Sequence, residues 1–438
     1  MAVNIVKGTH DVIGEEANAF NYIENLAKQI CDLFAYNEVR PPVLEYSELF
    51  VRGVGEGSDV VRKEMYTFLD KGERSVTLRP EFTAGIMRLI ISNKLLNTNE
   101  LPYKVYYLGP LFRYERPQLG RYRQFNQFGV EAVGNSSPEI DVETIAAAYT
   151  VLTSLNLENV SIVINTLGDA ESRSNYKKAL KDYFGQYLDQ MCEDCHSRYE
   201  LNPLRILDCK VPDDQKIVAG APKMKDFLSD AAKKRFERVL ELLDAMNIPY
   251  RVDDTLVRGL DYYSETVYEF HYVSKTGNDY GALGGGGHYD SLVKELGGPD
   301  AAGVGFSFGI ERLYSVLKDD NLLPPGLENP VEIYVMPMGD IAKPLAMQVA
   351  TELRISGYRT DMCFENVKLG NMFKRAERKG ARFAIIIGED EVNSEQVVIK
   401  NLATSEQNSC PVEKLIVKVS ELMGDECCDG QCKCHQEK

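Results

Sequence analysis

The sequence predicts an α+β chain carrying a C-terminal α/β domain, and three observations point there. Strand-like runs rich in Tyr, Phe and Val occupy residues 65–133 and return at 250–290. A charged, helical stretch without strand alternation, about 168–250, separates them. Beyond a linker at Asn321–Pro330, containing Pro324-Pro325-Gly326, strands and helices alternate. The domains expected are 1–325, with its helical insertion, then 330–424, and a Cys-rich tail at 425–438.

Taken in order, Ile23, Leu26, Ile30, Leu33 and Phe34 recur at helical spacing, which predicts an amphipathic helix over 20–34. Pro41-Pro42 stops it and opens an extended segment, Val43 to Phe50, followed by a polar Gly-rich loop from Arg52 to Asp59. Met65–Leu69, Ser75–Leu78, Val105–Leu108 and Phe125–Val133 read as strands. Ser137-Pro138-Glu139 carries N-cap, N1 and first-turn residues and opens a helix through Leu155. Phe236, Val239, Leu240, Leu243 and Met246 form the clearest stripe of the helical stretch. Strand-rich sequence resumes at Tyr250–Val273 and Ala282–Asp290, and Gly303–Leu317 ends the domain. In the last domain, Val331–Met336, a helix near Pro344–Ser356, Tyr358–Met362, a basic helix and Arg382–Gly388 succeed one another.

Composition narrows the function classes. The chain has 438 residues, 44% hydrophobic and 26% charged, enough for a sizeable core. Its longest apolar runs, such as Phe383–Ile387, fall far short of a bilayer span, and Met1–Gly14 lacks the apolar region of a secretory signal, so a cytoplasmic location is expected. A net charge of −16 argues against indiscriminate adhesion to nucleic acid, yet local basic footprints remain. Arg113, Arg116, Arg121 and Arg123 stand against only Glu115, and Lys368, Lys374, Arg375, Arg378, Lys379 and Arg382 against only Glu377. The ten cysteines make no disulfide framework. Cys192-x-x-Cys195 with Cys209 and nearby His196 has metal-ligand spacing, but the second Cys pair is missing, so buried thiols are the expectation and no metal ligand is assigned. The tail cluster Cys427, Cys428, Cys432, Cys434 and His435 could hold a soft metal such as zinc.

No GxxxxGK[ST] loop is present, so phosphates, if bound, would be held by arginines. The run Gly109–Pro117, followed by Gly120–Phe125, reads as strand, basic loop and returning strand; it is equally consistent with a charged surface hairpin. Phe112-Arg113-x-Glu115 with Arg121-x-Arg123-Gln124-Phe125 resembles motif 2 of class II aminoacyl-tRNA synthetases. Gly303–Leu313 resembles motif 3, and Asn37–Phe50, with Pro42, resembles motif 1. Leu256-Val257-Arg258-Gly259-Leu260-Asp261-Tyr262-Tyr263 and Gly281–Leu292 resemble two signatures of the histidyl-tRNA synthetase family. The resemblance runs from Lys7 to about Leu422.

What the resemblance implies is specific. The first domain would be a catalytic domain built on a six- or seven-stranded antiparallel sheet flanked by helices, and the α/β domain would bind the anticodon. ATP, with Mg2+, L-histidine and tRNA(His) would be the substrates, and a homodimer the assembly. Glu81, Thr83 and Gln127 would take the α-ammonium, and Glu131 and Tyr263 would read the imidazole with Tyr262 lining the pocket. Gly284–Gly287 would form its floor. The catalytic pair would be Arg113 and Arg258, gripping the α-phosphate, with Arg258 also meeting the substrate carboxylate. Arg312 would hold the γ-phosphate, Glu115 the adenine amino group and Phe125 the adenine ring. Arg116, Gln118, Arg121 and Arg123 would touch the tRNA at its acceptor end; Lys374, Arg375 and Arg378 would contact the tRNA from the last, anticodon-binding domain. Three positions depart from the family pattern: His288 and Ser291 stand where Arg and Gly are usual, and Phe82, where Gly is common, should narrow the site near Thr83. The rival reading is a catalytically inactive, synthetase-like regulatory subunit of histidine biosynthesis.

Overall fold

In a computed structural model, which describes residues 3–98, 100–116, 120–328 and 330–424, the chain divides into two compact units, 1–324 and 325–438. No helix among the described residues is long and apolar enough to cross a membrane. Gln118 and the tail cluster Cys427–Cys434 lie outside the described residues.

The first unit is organised on an eight-stranded sheet. Its strands are β1 (Asn37–Glu38), β5 (Tyr103–Phe112), β6 (Gln124–Val133), β7 (Ser161–Thr166), β8 (Tyr250–Val252), β9 (Ser264–Val273), β10 (Asp279–Tyr289) and β11 (Gly303–Gly309). The order across the sheet is β1-β5-β6-β11-β10-β9-β7-β8. The six central strands pair antiparallel, while β1–β5 and β7–β8 pair parallel at the two edges. The sheet is therefore mixed and larger than the six or seven antiparallel strands expected, because two short parallel strands, β1 and β8, extend its edges. β2 (Leu44–Tyr46), β3 (Tyr66–Leu69) and β4 (Ser75–Leu78) make a separate three-stranded sheet.

Alternation along the strands explains the two faces. On β6, Phe128, Val130 and Ala132 point to one side and are fully buried, as are Val304 and Phe308 of β11 and Tyr268 and Phe270 of β9. They meet α1 (Glu15–Leu33), α4 (Pro138–Ser154), α8 (Asp230–Ala245) and α10 (Ile310–Asp319) in the main core. Each fully buried Val or Phe among them contributes about 1.5–3 kcal/mol. The opposite parity, Gln127, Gly129 and Glu131 on β6, faces a second core built with α3 (Thr83–Ser92).

Two segments depart from expectation. Ser47–Val54 is a helix, α2, and not extended: its apolar Leu49, Phe50 and Val54 repeat at helical spacing and cover α3. A turn of π-helix, Val60–Glu64, follows the Gly-rich turn. Residues 253–263 are not strand but an irregular segment between β8 and β9, so the Arg258–Tyr263 signature is free of sheet pairing.

The insertion packs α5 (Ala170–Phe184), α6 (Glu193–Leu201) and α7 (Pro212–Val218) around a core of its own, including Tyr176, Leu180, Phe184 and Ile206. A short α9 (Leu292–Glu295) packs on α3. The second unit has a five-stranded sheet, ordered β13-β12-β14-β15-β16. Its strands are β12 (Ile333–Pro337), β13 (Thr360–Met362), β14 (Phe383–Ile387), β15 (Gln396–Asn401) and β16 (Gln407–Pro411). Its helices are α11 (Lys343–Ile355), α12 (Leu369–Arg378), α13 (Glu389–Ser394) and α14 (Leu415–Met423). β12, β13 and β14 are parallel, as alternation of strand and helix predicts; β15 and β16 add an antiparallel hairpin that the alternation did not reveal.

Candidate active site

Opposite-face residues of β6, β9, β10 and β11 open into a cavity of about 540 Å³ in the first unit. Register places its central carboxylate: Glu131 of β6 pairs with Gly305 of β11, whose missing side chain leaves the room that Glu131 occupies. A Cβ at Gly305 would collide with that carboxylate. Glu131 is buried and accepts hydrogen bonds from Thr83 Oγ1 at 2.7 Å, Tyr289 Oη at 2.7 Å and Tyr107 Oη at 3.4 Å. Burial pushes its carboxyl up to about 8, with those hydroxyls working in the other direction.

Glu81 does two jobs. Its oxygens accept the first amides of α3, Thr83 N at 2.7 Å and Ala84 N at 2.8 Å, and it also lines the cavity. Burial raises its carboxyl as well. Phe82, expected to narrow the site, does not: it is buried behind the wall, stacked on Tyr107 and covered by the Arg79 guanidinium at 4.1 Å. Its aromatic face finds partners there, so the ring turns into the core.

Arg113, Arg258 and Arg312 reach the cavity from three elements. Arg113 leaves the end of β5, donates to Pro80 O at 2.8 Å, and lies 5.5 Å from the Phe125 ring. Glu115 sits between Arg113 (3.8 Å) and Arg121 (3.6 Å). Arg258 is held by an ion pair with Glu269 of β9, and His271 braces the same carboxylate at 3.0 Å. Arg312, in the first turn of α10, donates to the carbonyl of Ala282.

The glycine run of β10 accounts for how Arg258 and Tyr263 lie so close to the sheet. A Cβ at Gly285 would stand 2.7 Å from the Arg258 guanidinium, and one at Gly287 would stand 2.9 Å from the Tyr263 ring. Only Gly284 and Gly285 of the four line the cavity. The expected floor is thus half that length, and the rest of the run seats neighbouring side chains and strands.

Every residue expected to meet histidine or ATP, namely Glu81, Thr83, Arg113, Glu115, Phe125, Gln127, Glu131, Arg258, Tyr262, Tyr263 and Arg312, lines this one cavity. Sequence reasoning missed Tyr107, Tyr289, Glu269 and Glu311. Tyr289 lies inside a quoted motif and could have been found there; Glu269 sits in an ordinary strand and carries no such signal. Among the residues expected to meet tRNA, Arg116 and Arg121 are exposed. Arg123 instead stacks on Tyr114 at 3.9 Å and donates toward the carbonyls of Glu115 and Lys7, outside the cavity lining. On α12, Lys374 and Arg378 are exposed, while Arg375 pairs with Glu365 at 2.5 Å.

One carboxylate lining the cavity has a free oxygen of the kind a divalent cation takes. Glu311 accepts from Asn126 N at 2.7 Å through Oε1, whereas its Oε2 is buried with no hydrogen-bond partner, and burial raises its carboxyl to about 7. Magnesium typically takes one or two protein carboxylates together with phosphate oxygens and water.

His288 is not in the cavity. It is a buried residue near the end of β10, 2.8 Å from Asp141 and 3.2 Å from Asp290, with Arg235 also on Asp141 at 2.6 Å. Burial opposes its charge, but the two carboxylates outweigh it and hold the imidazole at about 9. Nothing in the structure gives Ser291 a role beyond preceding α9.

Comparison with known proteins identifies the family. The family model described as histidyl-tRNA synthetase matches residues 8–313, and that described as anticodon binding domain matches 332–422. A histidine–tRNA ligase of Bacillus cytotoxicus is 43% identical over 424 residues, covering 96% of this chain and 99% of that protein. One from Geobacillus kaustophilus is 42% identical over 426 residues, covering 97% and 100%. The crystal structure of the apo histidyl-tRNA synthetase of S. aureus superposes with a TM-score of 0.81 at 35% identity, over 95% of this chain and 99% of that one. The chain belongs to the histidyl-tRNA synthetase family.

Proposed function

We propose that this protein attaches L-histidine to tRNA(His) by way of a histidyl-adenylate, releasing pyrophosphate and then AMP. The observation that carries the reading is the convergence of Arg113, Arg258 and Arg312 on one cavity beside Glu131. Attack of the histidine carboxylate on the α-phosphorus of ATP brings two anions together, and a site for it must supply fixed positive charge. Arg113 and Arg258 flank the α-phosphate, Arg258 also draws the carboxylate, and Arg312 takes the γ-phosphate. Phe125 stacks the adenine, and Glu115 accepts from its amino group. Glu311 would hold magnesium together with ATP, and the ion would offset phosphate charge.

Glu81, Thr83 and Gln127 receive the α-ammonium. Thr83 donates its proton to Glu131 and so keeps lone pairs to accept. Glu131 and Tyr263 read the imidazole, and an amino acid unable to pair with them would leave buried polar groups unsatisfied. The exposed Arg116 and Arg121, with Gln118 and Arg123 nearby in sequence, meet the acceptor end, and Lys374, Arg375 and Arg378 meet tRNA from the second unit. The assembly is a homodimer in the cytoplasm.

The regulatory reading is disfavoured, since the chain aligns nearly end to end with curated ligases and retains both Arg258 and its anticodon-binding domain. ATP–pyrophosphate exchange with each of the twenty amino acids is the deciding test. Histidine alone should support exchange; exchange with another amino acid, or with none, would overturn the proposal.

A further inference from the structure

The helical insertion contains a group of side chains that the synthetase chemistry does not use. Cys192 caps α6, Cys195 lies one turn on, Cys209 follows the turn at 203–208, and Asp214 sits in α7. One ligand atom from each comes within 4.8 Å of all the others. Cys195, Cys209 and Asp214 are buried, and Cys192 is half-buried. The Cys192 and Cys209 sulfurs are 3.9 Å apart, and Cys209 Sγ is 3.1 Å from Asp214 Oδ2. His196, the neighbour whose type suggested a ligand, is exposed and stands outside the group.

Asp214 is the telling member. Its carboxylate is 1% exposed, and among the described residues it has no lysine, arginine or histidine partner. A buried carboxylate surrounded by thiols and one backbone amide lacks the cation that ordinarily offsets its desolvation. Tetrahedral zinc with Zn–S bonds of about 2.3 Å would set its sulfur ligands about 3.8 Å apart. The observed sulfur separation fits that spacing and is far too long for a disulfide bond of about 2.05 Å.

We infer that Cys192, Cys195, Cys209 and Asp214 form a closed, four-ligand structural site for zinc in the insertion. Three thiolates and one carboxylate leave no position for substrate, so the ion would act on structure alone. Binding expels the thiol protons to solvent. The site ties α6 to α7 across the 203–208 turn, and that turn reaches the catalytic side. Arg205 donates to Gly57 O at 3.1 Å and pairs with Asp59 at 2.9 Å, and Asn202 donates to Asp261 at 2.8 Å. Asp208 and Lys210, either side of Cys209, line the main cavity.

The test is metal analysis of the full-length chain purified without chelator, with Cys427, Cys428, Cys432 and Cys434 all replaced by Ser so that the tail cannot contribute. About one zinc per chain is expected, falling to under roughly a tenth in Cys195→Ser. Asp214→Asn, which keeps shape and is gentler on folding, should lose its zinc faster to a chelator. Cobalt exchanged into the tail-substituted chain should show thiolate-to-metal charge transfer and the visible bands of a tetrahedral ion. A tail-substituted, folded chain that carries no zinc after growth in zinc-supplemented medium overturns the inference. So does a Cys192–Cys209 disulfide found by mass spectrometry, or a cobalt spectrum without thiolate bands.

Discussion

In the proposed reading discrimination turns on Glu131, whose shorter phenolic hydrogen bond comes from Tyr289, at 2.7 Å against 3.4 Å from Tyr107. Tyr289→Phe removes one hydrogen bond to a buried carboxyl, a change of about 1.5–3 kcal/mol. The KM for histidine should rise by roughly tenfold or more, with the KM for ATP little altered, in steady-state exchange kinetics. An unchanged histidine KM would remove Tyr289 from the pocket's logic. Arg258→Ala should abolish adenylate formation in a folded protein, and wild-type exchange in that variant would refute its role. Glu269→Gln tests the support of Arg258: weakening the ion pair should lower kcat by about tenfold or more, through loss of preorganised charge. Residue types told part of this in advance. Arginines and carboxylates in ordered motifs could be named from the chain, but Glu269 and Tyr107 could not, since a glutamate or tyrosine on a strand looks the same whether it faces solvent, core or cavity.

At the scale of elements, the glycine run of β10 and the first turn of α3 do structural and chemical work together. Gly287→Ala would press a methyl against the Tyr263 ring and the backbone of Thr266, with overpacking of about 1–3 kcal/mol. Its melting temperature should fall and its histidine KM rise together. Glu81→Gln keeps a cap acceptor for α3 while removing the negative charge. That variant should hold most of its stability and lose histidine affinity, whereas Glu81→Ala should lose both, by calorimetry and exchange assay respectively. Element types were legible where periodicity was strong, as in α1, α8 and the parallel strands of the second unit, and at α4 from the Ser-Pro-Glu signature that opens it. They were misread at α2, where a short helix follows two prolines, and at 253–263, where the β-branched and aromatic residues serve a pocket rather than a sheet.

For the whole molecule, four buried groups push stability in one direction with pH. Glu131 at about 8, and Glu265 and Glu311 at about 7, stay protonated after the unfolded chain has ionised. His288 at about 9 keeps a proton that the unfolded chain loses near its ordinary value of 6.5. In each case the folded state binds the extra proton, so stability falls as pH rises toward the folded value. The ligand-free protein should therefore melt at a lower temperature at pH 9 than at pH 6.5, with up to about 3 kcal/mol traceable to His288. His288→Gln should flatten that dependence in a pH series of thermal scans; an equally steep series would separate His288 from it. On the second unit, Lys374→Ala and Arg378→Ala should each weaken tRNA binding whatever the sequence, and lower the slope of log affinity against log salt by about 1. The linear chain by itself determined the family motifs, the order of the units and the chemistry of the arginines and carboxylates, because these are properties of residue type and spacing. Tertiary structure alone decided that Phe82 turns away from the site, that Glu131 rests on Gly305 and Tyr289, that His288 belongs to a buried charge cluster, and that Asp214 joins three cysteines. Each of those depends on strand register or helix packing, which bring together residues far apart in sequence, and no local pattern encodes such a meeting.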